Sequence, residues 1–278
     1  MYIAPGTRRA RQDESIGVRT SVELLPRCTN SIYCGAAMAD SFENLGFLSL
    51  EGEDFRREQR RDKKQAFDQV EKVVATAMDD LHQFSGMADA AYLVGLGYWL
   101  RCVEACQGTV LLAERGLATT PYSSLRTAFE CLFYAAAVWR HPELADKMEA
   151  SHHTERLKQA NQMMKAGAET RVDLERLADL KAVAAEVDPK APGLSVYEAA
   201  TQADLLFEYE TIYRGLGLGG AHATLRSLDR YFDAKPDGSF DLKFEPQFDQ
   251  LEWLLGLVGT CLTGGIARHR EARAKPGP

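Results

Sequence analysis

Apolar residues fall at steps of three and four along most of the chain. From Glu53 to Phe84 they sit at Phe67, Val70, Val74, Met78, Leu81 and Phe84, the spacing of one helix face. The run before them, EDFRREQRRDKKQ, mixes charges and predicts a solvated helical face. A second helix is predicted from about Ala88 to Arg115. Tyr92, Leu93, Leu96, Trp99, Leu100, Val103, Val110 and Leu111 leave it almost no polar side, which predicts a central position. Gly116 is its natural stop. Thr120-Pro121 opens a third helix with proline in the first turn, and His141-Pro142 closes it after Arg140.

The pattern then becomes more polar. A fourth helix is predicted to about Lys165. A fifth carries Leu177, Leu180, Val183 and Val187 before Asp188-Pro189 ends it, and 190–194 reads as a loop. A sixth runs from Tyr197 or Ala203 to Arg214. The glycine run interrupts it, and Ala221 to Phe232 resumes it. AKPDGS predicts a hairpin over 234–243 around Asp237-Gly238. The last helix is predicted from Glu245 to Arg270, with Phe248, Leu251, Leu255, Val258, Leu262 and Ile266 on one stripe.

These elements define an all-α fold: an up-and-down helical bundle of about six to seven helices with a small β-hairpin insertion. No internal repeat is visible, and 41–278 reads as a single helical domain. Residues 1–40 lack any period and are expected to be a disordered tail. Met38 offers an alternative start. Over 1–37, Arg8, Arg9, Arg11, Arg19 and Arg27 against Asp13, Glu14 and Glu23 give +2, which leaves −9 of the net −7 on the remainder.

That acidic balance argues against a broad nucleic-acid surface and against DNA binding. A small, locally basic RNA site is compatible with it. With 45% hydrophobic residues, the chain can bury a sizeable core. No secretory signal is visible, so a reducing, cytoplasmic compartment is the expectation for its six cysteines. The stretch Trp253 to Ile266 is too short and too glycine-broken to span a bilayer. No membrane association is expected.

Candidate chemistry rests on two polar sites in otherwise apolar helical sequence. Ionised groups are costly to bury unless paired or used. Arg126 and Glu130 lie one turn apart in SSLRTAFECLFYAAAVW. They are either a structural ion pair that sets helix register or an anchor for a third group such as His222. Tyr213-Arg214, a glycine run and His222 follow in TIYRGLGLGGAHATLRSL. Histidine can exchange protons near neutral pH, and arginine can hold a phosphate and stabilise developing charge. That pair suits phosphodiester cleavage without a metal. The plainer alternative is that Arg214 caps a helix and His222 is a hydrogen-bonded residue in the next turn.

Other signals are weaker. Gly215, Gly217 and Gly220 satisfy G-x-G-x-x-G, but no strand precedes them, so dinucleotide binding is set aside. Cys102 and Cys106 share a helix face. Zinc would need two more ligands, with Cys131 and Cys261 the available ones, and the four read as core cysteines. His152-His153 with Glu155 point in different directions on a helix. No metal or cofactor is expected. The aromatics Tyr92, Tyr98, Trp99, Phe129, Phe133 and Tyr134 read as core, with small-molecule binding as the alternative.

LRTAFECLFYAAAVW, then YRGLGLGGAHATLRSL, a PDG turn and a terminal helix together resemble an uncharacterised family of helical bacterial proteins, over roughly Phe67 to His269. The Arg…His arrangement also resembles that of HEPN-type helical ribonucleases. That resemblance implies a homodimer cutting RNA without metal, of toxin or defence type. It implies Arg214 as phosphate binder and His222 as acid/base, with Tyr213, Arg126 and Glu130 as supporting polar residues. In this chain the spacer between Arg214 and His222 is seven residues, rich in glycine. The expected function is therefore RNA cleavage or RNA binding. The alternative is a non-catalytic helical scaffold that dimerises or binds a partner protein.

Overall fold

A computed structural model of the chain describes residues 40–83, 89–186 and 192–274. The tail, Met38, Phe84, Val187 and Asp188-Pro189 lie outside the described residues. In chain order the α-helices are α1 Phe42–Leu45, α2 Glu51–Asp62, α3 Lys64–His82, α4 Ala90–Ala113, α5 Thr120–Arg140, α6 Leu144–Lys165, α7 Leu174–Ala184, α8 Val196–Gln202, α9 Leu206–Glu208, α10 Arg214–Leu216, α11 Leu225–Leu228 and α12 Leu251–Ala274. Strands β1 Phe232–Ala234 and β2 Phe240–Leu242 pair antiparallel, with Phe232 opposite Leu242 and Ala234 opposite Phe240. Gly238, at φ 85°, makes the turn between them. Among the described residues no helix is long and apolar enough to cross a membrane.

The bundle is built around α4 and α5. Thirteen of the 21 residues of α5 are buried, because α4, α8, α12 and the segment after α9 all pack on it. Asp89 starts α4, its carboxylate accepting from the Tyr92 amide at 2.6 Å. Gly116 stops the helix as its sequence predicts: its φ is 78°. Its amide reaches Ala113 O while Leu117 N reaches Leu112 O, which satisfies the carbonyls left open at a helix C-terminus. Trp99, Phe129 and Phe133 are fully buried between these helices. Truncating any one of them to alanine would cost about 3–5 kcal/mol.

The amphipathic stretch that begins at Glu53 is two helices as far as His82, broken at Lys63 (φ −106°, ψ 28°). The charged run before the break is not merely a solvated face. Glu114 at the end of α4 is 2% exposed. Arg60 donates to it from Nε at 2.6 Å, and Arg56 lies 3.7 Å away. A buried carboxylate needs such partners, so ion pairs tie α2 to the end of α4, while α3 packs on α12.

α12 starts at Leu251 rather than Glu245. Gln247 is held by Gly116 O at 2.8 Å through its amide and by Arg230 O at 2.6 Å through its side chain, which ties the non-helical 245–250 to the end of α4. The sixth helix is divided too. Ser195 and Glu198 form a reciprocal cap at the start of α8. Asp204 then turns left-handed at φ 58°, and the chain resumes at Leu206. The resumption after the glycine run is only α11 and a 3-10 turn, Asp229–Tyr231.

Two close approaches fix α12. Gly265 lies against the Trp99 indole, leaving no room for a Cβ. Near its C-terminus, His269 is fully buried and Asp80 is 1% exposed. His269 Nδ1 bonds Asp80, and its Nε2 shares a hydrogen bond with the Tyr92 hydroxyl at 2.8 Å. Arg270 Nε adds a bond to Asp80 at 3.1 Å. Burial raises the Asp80 pKa, but the hydrogen bonds from His269 and Arg270 outweigh it and leave the carboxyl below its ordinary value.

Gly265→Ala is expected to destabilise by about 1–3 kcal/mol through overpacking on Trp99, read as a lowered midpoint in urea. The Asp80 carboxyl is held low in the folded state. Its contribution is therefore present above the unfolded value of about 4 and is lost as pH falls through the lower folded value. Asp80→Asn should be less stable than wild type at neutral pH and show a flatter acid limb. Parallel pH profiles for the two proteins would refute this assignment.

Candidate functional site

The sixth helix runs on through Gly215, Gly217 and Gly219 and is interrupted only at the last glycine of the run, Gly220. From α9 the chain takes a π-helical turn at Tyr209–Tyr213, the short α10, and a second π turn at Gly217–Ala221. It leaves the helical path at Gly220. π turns widen the helix and often mark functional positions. Here they keep Tyr213, Leu216 and Gly217 all buried toward α5. A Cβ at Gly219 would lie 2.9 Å from the Tyr122 ring, so a bare α-carbon lets this segment close on the start of α5.

Against that surface stand Arg126 and Glu130. They do not pair with each other; Tyr213 comes between them. Its hydroxyl donates to Glu130 Oε2 at 3.1 Å. Its ring lies under the Arg126 guanidinium, whose Cζ is 3.9 Å from the ring centroid, a cation–π contact. Tyr213 also stacks on Tyr209 at 5.2 Å and meets Phe133 edge-on at 5.8 Å. Burial, followed by the Glu130 charge, pushes the Tyr213 phenol well above its ordinary range. It stays protonated and stays a donor.

Among the described residues no carboxylate lies within ion-pair distance of Arg126, and its buried Nε has no hydrogen-bond partner. Gly217 faces it: a Cβ there would lie 3.5 Å from Arg126 Nε and 3.3 Å from His222 Cδ2. The absence of a side chain at Gly217 thus brings the arginine and the histidine beside the same point. His222 is exposed, and its imidazole has no hydrogen-bond partner among the described residues. An unsatisfied guanidinium next to an open imidazole is a place where an anion can sit.

Arg214 is elsewhere. It is exposed and ion-paired with Glu210, one turn back, at 2.7 Å. Of the residues singled out in the sequence, the fold gathers Arg126, Glu130, Tyr213 and His222 and leaves Arg214 on the solvent side. Glu130 also lines a second cleft of about 280 Å3 with Tyr98, Arg101, Tyr134 and His152. The Tyr134 phenol there is pushed up to about 12, first by burial and then by Glu130. On the far side of Tyr122 a groove of about 700 Å3 carries Arg226, Arg230 and Lys243, interleaved with Asp229, Asp233 and Asp249.

The Asp80–His269–Tyr92 chain has no signature in the sequence. His269 sits in a polar run, HREAR, and nothing local marks it as buried. The fold also carries Cys261 to Cys102 and Cys106, so the three sulfurs lie within 4.8 Å of one another. His152 lines the second cleft, whereas His153 is 3.3 Å from Glu186.

The fold and this site define a mostly helical protein with an arginine–histidine polar cluster on one helix pair. Residues 92–240 match the model of a family of unknown function (DUF5677). The match spans more than half of the chain, and the protein belongs to that family. No curated protein and no solved structure matches it.

Tyr213→Phe should cost about 1–2 kcal/mol, because Glu130 loses its donor while the ring under Arg126 remains. Tyr213→Ala should cost about 3–5 kcal/mol. Urea denaturation of both variants checks this; equal losses would mean that the ring alone matters.

Proposed function

We propose that the protein is a metal-independent RNA-binding and RNA-cleaving protein of HEPN-like type, with the Arg126–His222 pair as its phosphate site. The carrying observation is the guanidinium of Arg126. It is anchored over Tyr213, has no carboxylate within ion-pair distance among the described residues, and shares the Gly217 surface with an exposed imidazole. A phosphodiester supplies the acceptor oxygens that Arg126 lacks. The ribose 2′-hydroxyl attacks the adjacent phosphorus and the 5′-oxygen leaves, giving a cyclic phosphate. His222 takes the hydroxyl proton or delivers one to the leaving oxygen. Arg126 stabilises the charge that builds on the phosphorane. Arg214, released from Glu210, is a second phosphate contact on the solvent side.

A second reading has its own support. The Arg126–Tyr213–Glu130 contacts join α5 to the segment after α9, and the net charge is −7. A non-catalytic scaffold would use the same cluster only as a joint between elements.

Cleavage of mixed RNAs in EDTA separates the two. Wild type should cut. His222→Ala should fall by about 10²–10⁴-fold and Arg126→Ala by about 10²–10³-fold, with His222→Ala melting near the wild-type temperature because the ring is exposed. A wild type that neither cuts nor binds RNA supports the scaffold.

A further inference from the structure

Three cysteines meet in the core away from the Arg126–His222 site. Cys102 and Cys106 are one turn apart on α4, and Cys261 comes from the facing α12. All three are fully buried. Cys102 and Cys261 sulfurs are 3.6 Å apart, and all three sulfurs lie within 4.8 Å of one another. The close approach of α12 to α4 that Gly265 permits at Trp99 lies one turn from Cys261 and one turn from Cys102.

We infer that this trio is a binding site for one monovalent copper ion. Three sulfurs placed about 2.3 Å from a central ion in a plane are about 4 Å apart, which is the spacing range found here. Thiolates select soft ions such as Cu(I) and zinc. Structural zinc takes four ligands. Among the described residues no fourth ligand joins the cluster, and a fully buried site gives water no ready access to the open position. Three-coordinate copper needs neither. Each thiol that coordinates gives up its proton to solvent, with no change in oxidation state. Binding therefore strengthens as pH rises and the ion is released on acidification.

The test uses the full chain with Cys28 and Cys34 replaced by serine, refolded anaerobically with Cu(I) and a chromophoric Cu(I) chelator as competitor. The site predicts one equivalent retained, three sulfur neighbours by X-ray absorption, and a raised melting temperature. Cys106→Ala and Cys261→Ala should lose the ion, and Cys131→Ala should keep it. Failure to retain Cu(I) in the folded protein would overturn the assignment. So would retention unchanged by Cys261→Ala, or loss in a folded Cys131→Ala. Should the alanine variants not fold, the sulfur count on the parent chain decides alone, and fewer than three sulfurs rejects the trio.

Discussion

Burial of α5 is the constraint on which the rest depends. It is covered by α4 on one side, by α12 and α8 on others, and by the π-turned segment along the remainder. Its apolar residues hold the bundle together, and the same enclosure removes water from its polar ones. Arg126, Glu130 and Cys131 all ride on this helix. Each must find a partner within the protein, or be kept for something outside it.

Most buried charges here are satisfied internally. Glu114 has Arg60 and Arg56. Asp80 has His269, Arg270 and Arg273. The first ties α2 to the end of α4 and the second ties α3 to α12, and both are reached from residues far away in the chain. Arg126 differs. Its contact is the face of Tyr213, which stabilises a cation without neutralising it. Among the described residues the two buried carboxylates each have two or three cationic partners, whereas the half-buried Arg126 has no carboxylate within ion-pair distance and a buried Nε without a hydrogen-bond partner.

Helix-to-helix spacing is set by bare α-carbons as much as by side chains. Gly265 admits Trp99, Gly95 admits Trp139, and Gly217 admits both His222 and Arg126. The consequence is chemical as well as steric. Close approach of α12 to α4 gathers three sulfurs, and close approach of the π-turned segment to α5 gathers an arginine and an imidazole.

The local code was legible. The three-and-four spacing, the proline at the start of α5, the glycine after α4 and the Asp-Gly turn of the hairpin each act within a few residues, so α5 and the end of α4 are where the sequence puts them. The polar candidates could be named for the same reason, since an Arg, a Glu and a His stand out in apolar sequence. What the sequence could not show were choices made between distant segments. Glu114 drawing Arg60 and Arg56 to the end of α4, Gln247 holding the chain before α12, the glycine run staying helical as far as Gly219 against Tyr122, and Tyr213 rather than Arg126 taking Glu130 all depend on which surfaces meet. Spacing along a chain determines which residues share a face. Only packing decides what that face touches, because a buried charge or a missing Cβ gains its meaning from a neighbour many residues away.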